Sequence, residues 1–348
     1  MRLSICIPTY NFGAFIGETL ESILPQVEDG VEVVVLDGGS DDDTSTVVES
    51  FQQRYPSLRY ERRDKRGGID RDLSRTVDLA RGEYCWLFGA DDVMKPGAIG
   101  QMLKNLDSGC DLYLCGLTLC TFDMQPLGDH RVSRIKTESQ FDLGKARDRR
   151  RYFRLAQTTP AFFSFLGSLT FKKSRWDAIG LDEEFVGSLW AHVARLFQMI
   201  PGGLRLHYLP TSYLLKRIDN DSFMDQGLIN RYSIAIDGYD RLARTCFPDA
   251  SLEARHVRRT VRNEFPPWLL LGLKFSSERE RPEDVPAVDR LARKAYGDRT
   301  PRNLLYHLTY RHTPRPAFRA AQAVNRAVRS IIAPIRTLRR PAPPAAAR

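Results

Sequence analysis

Apolar and polar positions alternate in blocks over about the first hundred residues, short unbroken apolar runs taking turns with stretches of helical period. LSICI (3–7) and VEVVVLD (31–37) are near-continuous β-branched runs, as in strands covered on both faces. Between them, NFGAFIGETLESILPQ sets Phe12, Ile16, Leu20, Ile23 and Leu24 at helical spacing and stops at Pro25. DDDTSTVVESFQQRYP is a helix opened by acidic and hydroxyl residues and closed before Pro56. LRYERR then reads as a short strand, RDLSRTVDLARG as a helix ending at Gly82, and EYCWLFGA as another strand. This rhythm predicts an α/β domain whose mostly parallel sheet is flanked by helices. Ligands of such sheets sit beyond the C-terminal strand ends, and three ends here are polar: PTYN, DGGSDDD and GADD.

Beyond Pro96 the pattern loosens. GAIGQMLKNL is helical, CDLYLCGLTLCTF gives one or two strands, and the Arg- and Asp-rich stretch 128–152 reads as a loop or short helix. FFSFLGSLTFKK is a strand region, and a helix begins near Ser188. From 222 to 300 the period is helical, interrupted by FPPWLLLGLKF. The expected organisation is an α/β domain over 1–220, a helical region over 221–300, and a tail over 301–348 ending in the low-complexity RRPAPPAAAR.

Composition supports a sizeable core, with 42% hydrophobic and 27% charged residues in a chain of 348. The six cysteines show no metal-ligand spacing and lie mostly in apolar runs, which suggests buried thiols of a reducing compartment. MRLSICIPTYN enters a strand at once, leaving no room for a signal peptide, and no run is long enough to span a membrane. A cytoplasmic protein is expected. Charge is uneven: ten arginines and no Asp or Glu follow residue 300, more than the whole chain's net +9, so the rest sums to −1.

The strand ends carry the candidate chemistry. Asp37 closes a buried strand, and Gly38 and Gly39 after it allow a tight turn and close approach of a ligand. Asp91 and Asp92 end a later strand as adjacent like charges. Such carboxylates, completed by phosphate oxygens, suit Mg²⁺ or Mn²⁺ at a nucleotide. They equally suit the start of the helix after Pro96, and the residues alone leave both readings open.

SICIPTYN, VEVVVLDGGSDDDT and RGGIDRDLSRTVDLARGEYCWLFGADD follow, in order and spacing, the signature of family 2 glycosyltransferases of the GT-A fold, which this chain resembles. A narrower likeness, to bacterial abequosyltransferases, rests on EYCWLFGADD, FKKSRWDAI, GSLWAHV and DNDSF (219–223). The resemblance implies a nucleotide-diphosphate sugar donor, a divalent metal, and a saccharide acceptor that is lipid-linked, as in O-antigen synthesis. It implies that Pro8, Thr9 and Tyr10 line the nucleoside pocket. Asp37 would accept from base or ribose, with Asp42 on the same turn, and Asp70 and Arg71 would lie near the nucleotide or sugar. Asp91 would be the principal metal ligand and Asp92 would stand near the donor sugar. The chain departs from the pattern at Gly89 and Gly38, where the family usually has Asp.

Inverting transfer needs a base to take the acceptor's proton. The family supplies an Asp at a helix start, but GSLWAHVARLF holds no acid there; His192 stands close by, with Asp182, Glu183 and Glu184 as rivals. His192 could equally cap or pack the helix. Trp176 and Trp190 could stack on sugar rings, although core packing is the commoner use. Asp219, Asn220 and Asp221 suit a sugar, a metal or a solvated turn. In the tail, Phe318, Ala321, Val324, Val328 and Ile331 recur at helical spacing among arginines. That suits an anionic membrane surface, as at the inner face of the plasma membrane, or an ordinary packed helix. Nucleic acid is not expected, since no recognised module or aromatic platform accompanies the arginines. Two rivals stand beside the glycosyltransferase reading. A nucleotidyltransferase is disfavoured by the absence of a Gly-rich basic loop, and a membrane- or polyanion-binding protein with a degenerate nucleotide site is kept open by Gly89.

Overall fold

β1 (Leu3–Thr9) is buried along its whole length, as its unbroken apolar run requires. It takes β2 (Val31–Asp37) and β4 (Tyr84–Leu87) as parallel neighbours, and β3 (Leu58–Arg62) lies parallel beyond β2. The crossovers are α1 (Gly13–Ile23), α2 (Thr44–Gln52) and α3 (Ile69–Leu79). Because all four strands run one way, their C-terminal ends share one edge: Thr9 stands beside Asp37, and Asp37 beside Arg62. In this computed structural model residues 1–220, 223, 226–297 and 300–323 are described.

The sheet continues with mixed pairing. β5 (Val93–Met94) is a two-residue strand, followed by α4 (Ala98–Leu106) and the long β6 (Leu112–Cys120). β7 (Pro126–Asp129), which pairs with β6, and β8 (Ser139–Asp142), which pairs with the last strand, come next, then α5 (Ala146–Leu155), β9 (Leu169–Lys172), α6 (Lys173–Asp177), α7 (Ala191–Gln198) and β10 (Arg205–Arg217). The order is β3-β2-β1-β4-β9-β6-β10-β5. β9 is antiparallel to both β4 and β6, while β10 runs parallel to β6 and antiparallel to β5. The expected α/β class holds, and its parallel arrangement occupies β3-β2-β1-β4, where crossover helices separate the strands. The β5–β10 pairing, Leu215 beside Val93, brings the end of β10 back to Asp91 and Asp92.

Three local expectations change. The polar stretch 128–152 contains β8 and most of α5, whose Tyr152 and Phe153 are buried. α7 starts at Ala191 rather than near Ser188, because Leu189 has a φ of 71°, outside the helical region. FPPWLLLGLKF interrupts the helices only at Phe265 and Pro266: Pro267 opens α10 (Pro267–Glu280), where a missing N–H costs nothing, and the rest of the run is helical. The chain divides into two units, Met1–Glu264 and Phe265 onward. α8 (Gly227–Cys246) and α9 (Leu252–Glu264) therefore go with the sheet, not with the later helices α10, α11 (Val285–Tyr296) and α12 (Pro301–His312). Phe318 is buried and packs on Phe275, while Val324, Val328 and Ile331 lie outside the described residues, as does Asp221. Among the described residues no helix is long and apolar enough to cross a membrane.

Candidate active site

The turn after β2 is built on its own acids. Asp37 is fully buried; its Oδ1 accepts from the Gly39 and Ser40 amides (3.0 and 2.8 Å) and the Ser40 hydroxyl (2.7 Å). Its Oδ2 accepts from Tyr60 Oη at 2.9 Å, with the Arg62 guanidinium at 3.8 Å. Asp37 thus closes the turn with both oxygens engaged. Asp42 accepts from Gly13 N at 2.9 Å and Thr44 N at 3.0 Å, joining the starts of α1 and α2. Burial opposes its charge, but a bond from the Thr44 hydroxyl, with these amide bonds behind it, prevails and holds its carboxyl below the usual range. Pro8 and Thr9 are buried at the end of β1, and the Arg66 guanidinium lies 4.2 Å from the ring centroid of Tyr10.

Asp91 and Asp92 meet over the residue that departs from the family pattern. A Cβ on Gly89 would lie 2.7 Å from Asp92 Oδ2 and 3.3 Å from Asp91 Oδ1, so the two carboxylates fill the space a third would need. Burial raises both carboxyls above their ordinary range, and the Asp91 charge raises Asp92 further. Arg217, buried at the end of β10, organises the pair. Its amide donates to Asp92 Oδ1 (3.2 Å), its Nε to the Asp91 carbonyl (3.1 Å), and its remaining nitrogens to the Phe122 carbonyl and Glu18. Asn220 donates to Asp91 Oδ2 at 2.9 Å, while Asp219 is exposed in a left-handed turn. Two acidic side chains held above their normal pKa suit a divalent cation. Among the described residues no three His, Cys, Asp or Glu gather as a complete metal site, so the other ligands would come from phosphate or water.

Asp70 serves another place. Its carboxylate is buried and accepts from the amides of Gly187 (2.9 Å), Leu189 (3.0 Å) and Ala191 (3.2 Å), pinning the loop that opens α7. Burial raises its pKa against those three bonds. Arg71, next to it, points outward into a two-bond pair with Glu183 (3.0 and 2.7 Å). Asp182 accepts from Glu184 N and Gln198, and the Glu184 side chain is exposed. His192 is buried, with Nε2 3.2 Å from the Phe163 carbonyl, so that nitrogen carries the proton; burial lowers its pKa to about 4. Neither tryptophan presents a ring face. Trp176 is 1% exposed, stacked on Phe171 at 4.5 Å and covered by Arg195. Trp190 donates to the Ile234 carbonyl at 2.8 Å and lies edge-on to Tyr239.

The structure therefore gathers Pro8, Thr9, Tyr10, Asp37, Asp91 and Asp92 along one sheet edge, and gives Asp42 and Asp70 anchoring contacts. Sequence reading passed over Arg217, Glu18 and Arg66, which long-range contacts bring in, and Arg63 and Asp72, which pair with each other nine residues apart.

The family model described as Glycosyl transferase family 2 matches residues 4–169. Abequosyltransferase RfbV of Salmonella typhimurium is 32% identical over 282 residues, 79% of this chain and 84% of that protein. The chain belongs to glycosyl transferase family 2. A Campylobacter jejuni protein, GalNAc(5)-diNAcBac-PP-undecaprenol beta-1,3-glucosyltransferase, is 25% identical over 55% of this chain and 59% of its own length. Among solved structures, S. aureus TarS 1-349 in complex with UDP-GlcNAc has a TM-score of 0.60 at 16% identity, over 87% of this chain and 83% of that one. The mannosyltransferase PcManGT of Pyrobaculum calidifontis, in complex with GDP-Man and Mn²⁺, has a TM-score of 0.53 at 20% identity, over 97% and 82%. This glycosyltransferase accordingly has the GT-A fold, the architecture of a nucleotide-sugar-dependent class.

Proposed function

We propose that this glycosyltransferase moves a deoxy- or dideoxyhexose, with inversion, from a nucleotide-diphosphate donor to a hydroxyl of a lipid-linked saccharide in surface-polysaccharide synthesis. The observation that carries the reading is the likeness to an abequosyltransferase along most of both chains. The Campylobacter relative, whose name specifies an undecaprenol-linked substrate, supports the acceptor class. In this reading Pro8, Thr9 and Tyr10 line the nucleoside, Asp37 and Asp42 hold the turn beneath it, and Asp92 faces the donor sugar. Arg71 lies near the nucleotide or sugar, and Asp70 fixes the loop on the acceptor side. Asp91, steadied by Asn220 and Arg217, would hold Mg²⁺ or Mn²⁺, which when bound neutralises charge developing on the diphosphate. The acceptor oxygen attacks the anomeric carbon as its bond to the diphosphate breaks; the leaving group keeps the bonding electrons and a base takes the hydroxyl proton. His192 is the base in this reading, through Nδ1, which has no hydrogen-bond partner among the described residues.

The lipid-linked acceptor would bring the enzyme to a membrane surface. Support comes from α12, where Leu304, Leu305 and Leu308 are exposed at helical spacing beside Arg302 and Arg311, and from exposed Trp268 in α10. The test is turnover of purified protein with nucleotide-linked hexoses, deoxyhexoses and dideoxyhexoses and an undecaprenol-linked oligosaccharide, the product linkage read by NMR. An α-linked donor should give a β-linked product. Retention of configuration, or transfer only to water, overturns the proposal.

A further inference from the structure

Gly38 stands where the family usually carries an acid, and the structure supplies a carboxylate to that place from another element. A Cβ on Gly38 would lie 2.8 Å from Asp72 Oδ2 and 3.5 Å from the Thr9 carbonyl oxygen. The Asp72 side chain is therefore the one close obstacle to a residue larger than glycine. Asp72 sits in the first turn of α3 and is 4% exposed. Its Oδ1 accepts from Arg63 Nη1 at 2.9 Å, and Oδ2 has no hydrogen-bond partner among the described residues. Gly67 makes room for the pair, since a Cβ there would run into both the Arg63 guanidinium and the Asp72 carboxylate. Thr9 Oγ1, at the adjoining strand end, is buried without a partner. Tyr10 and Arg66 form a stacked pair beside the same turn.

Asp72 is almost fully buried, but its Oδ2 keeps a trace of exposure, so water or a ligand that donates can reach it. Burial does raise the Asp72 pKa, with Arg63 acting against the rise. Of the ligand groups that reach the strand ends in a nucleotide-sugar enzyme, a nucleobase carries both what the pair lacks and what it offers. A ring N–H or exocyclic amine can donate to Oδ2, and an adjacent ring carbonyl or ring nitrogen can accept from the remaining Arg63 donors. Asp37 is poorly placed for this task, because both its oxygens are engaged in the turn.

We infer that Asp72, paired with Arg63, reads the base of the donor nucleotide in place of the acid missing at position 38. The inference rests on the nucleotide-sugar reading above and adds to it the residue that sets base preference.

The test uses the full chain and calorimetric titration with UDP, CDP, GDP and dTDP in the presence of Mn²⁺. The native protein should prefer one base. Asp72→Ala should weaken that nucleotide by roughly ten- to a hundredfold, the size of a lost charge-assisted hydrogen bond, and flatten the ranking. Gly38→Asp alone should also lose binding, since two carboxylates would compete for one space. The exchange Gly38→Asp with Asp72→Ala should recover most of the affinity, a rescue that a merely structural Asp72 would not permit. Asp72→Asn, close in shape, should alter the ranking of bases, and this decides the matter if the exchanged protein does not fold. Unchanged affinity and ranking in both Asp72→Ala and Asp72→Asn overturn the inference alone. Failure of the native protein to bind any of the four nucleotides overturns the donor reading, and the inference with it.

Discussion

The turn after β2 and the loop that opens α7 are both built around carboxylates, yet they are assembled differently. In the turn after β2 several bonds are short in sequence: Asp37 reaches Gly39 and Ser40, and Asp42 reaches Thr44, beside longer ones from Tyr60 and Gly13. At α7 they are long: Asp70 holds the amides of Gly187, Leu189 and Ala191, and Trp190 holds Ile234. A turn that closes on itself survives changes elsewhere. A loop held chiefly by distant contacts depends on them, so the loop that opens α7 should be the more fragile of the two.

Removing the pin tests this most severely. Asp70→Ala leaves three amides without their buried acceptor, and an unsatisfied buried group costs about 1–3 kcal/mol. A loss of about 3 kcal/mol or more in urea unfolding is expected, with Asp70→Asn losing less because its amide oxygen still accepts. A loss under about 1 kcal/mol for Asp70→Ala would show that the loop is held by something else.

Crowding the second long-range contact should cost less. A Cβ on Gly238 in α8 would run into the Trp190 indole. Gly238→Ala should therefore destabilise by about 1–3 kcal/mol despite the helix propensity gained. Gly100→Ala in α4, where a Cβ meets nothing within 4 Å, should instead stabilise by about 0.5–1 kcal/mol. Thermal unfolding of the two variants should move in opposite directions.

The donor edge offers a chemical contrast. Asp91 and Asp92 have folded pKa values raised above those of the unfolded chain. Their protonated forms favour the fold at low pH, and that contribution is lost as pH rises through the raised folded values. A divalent cation replaces the proton, so Mn²⁺ with nucleotide should raise Tm more at pH 8 than at pH 6. The gain should be about 1.4 kcal/mol at a tenfold excess over Kd. Asp91→Asn should abolish the cation's effect and flatten the pH dependence. An equal Mn²⁺ shift in that variant would move the cation to another site.

What could be read from the sequence follows the same division. β1, β2 and β4 were legible because each is one near-continuous apolar run buried along its length, and the turn after β2 because much of it is local, whereas β3, LRYER, is only partly buried and carries no such run. The mixed second half was less so. Nothing in the run LTFK says that β9 pairs antiparallel with both β4 and β6, and nothing near residue 217 announces that Arg217 will hold Asp91 and Asp92 from more than a hundred residues away. The buried tryptophans show the limit most plainly, since Trp176 and Trp190 carry the same local signal whether they face a sugar or the core.

The smallest expected effect on stability concerns His192. Burial holds its pKa near 4, below the unfolded value of about 6.5, so the neutral, proton-accepting ring persists well into acid. If Nδ1 takes the acceptor's proton, the acid limb of kcat/KM, which reports the free enzyme, should fall near pH 4 rather than near 6.5. The same depression means that stability declines as pH drops from 6.5 toward 4, because the unfolded chain takes up the proton first. Rates must therefore be normalised to the folded fraction. His192→Gln can still donate to the Phe163 carbonyl and should change stability by less than about 1 kcal/mol. With that contact kept, a large loss of kcat at unchanged donor affinity assigns the proton transfer to the ring. Full turnover in His192→Gln leaves His192 as a packing residue, and Asp182, Glu183 and Glu184 are then the candidates for the base.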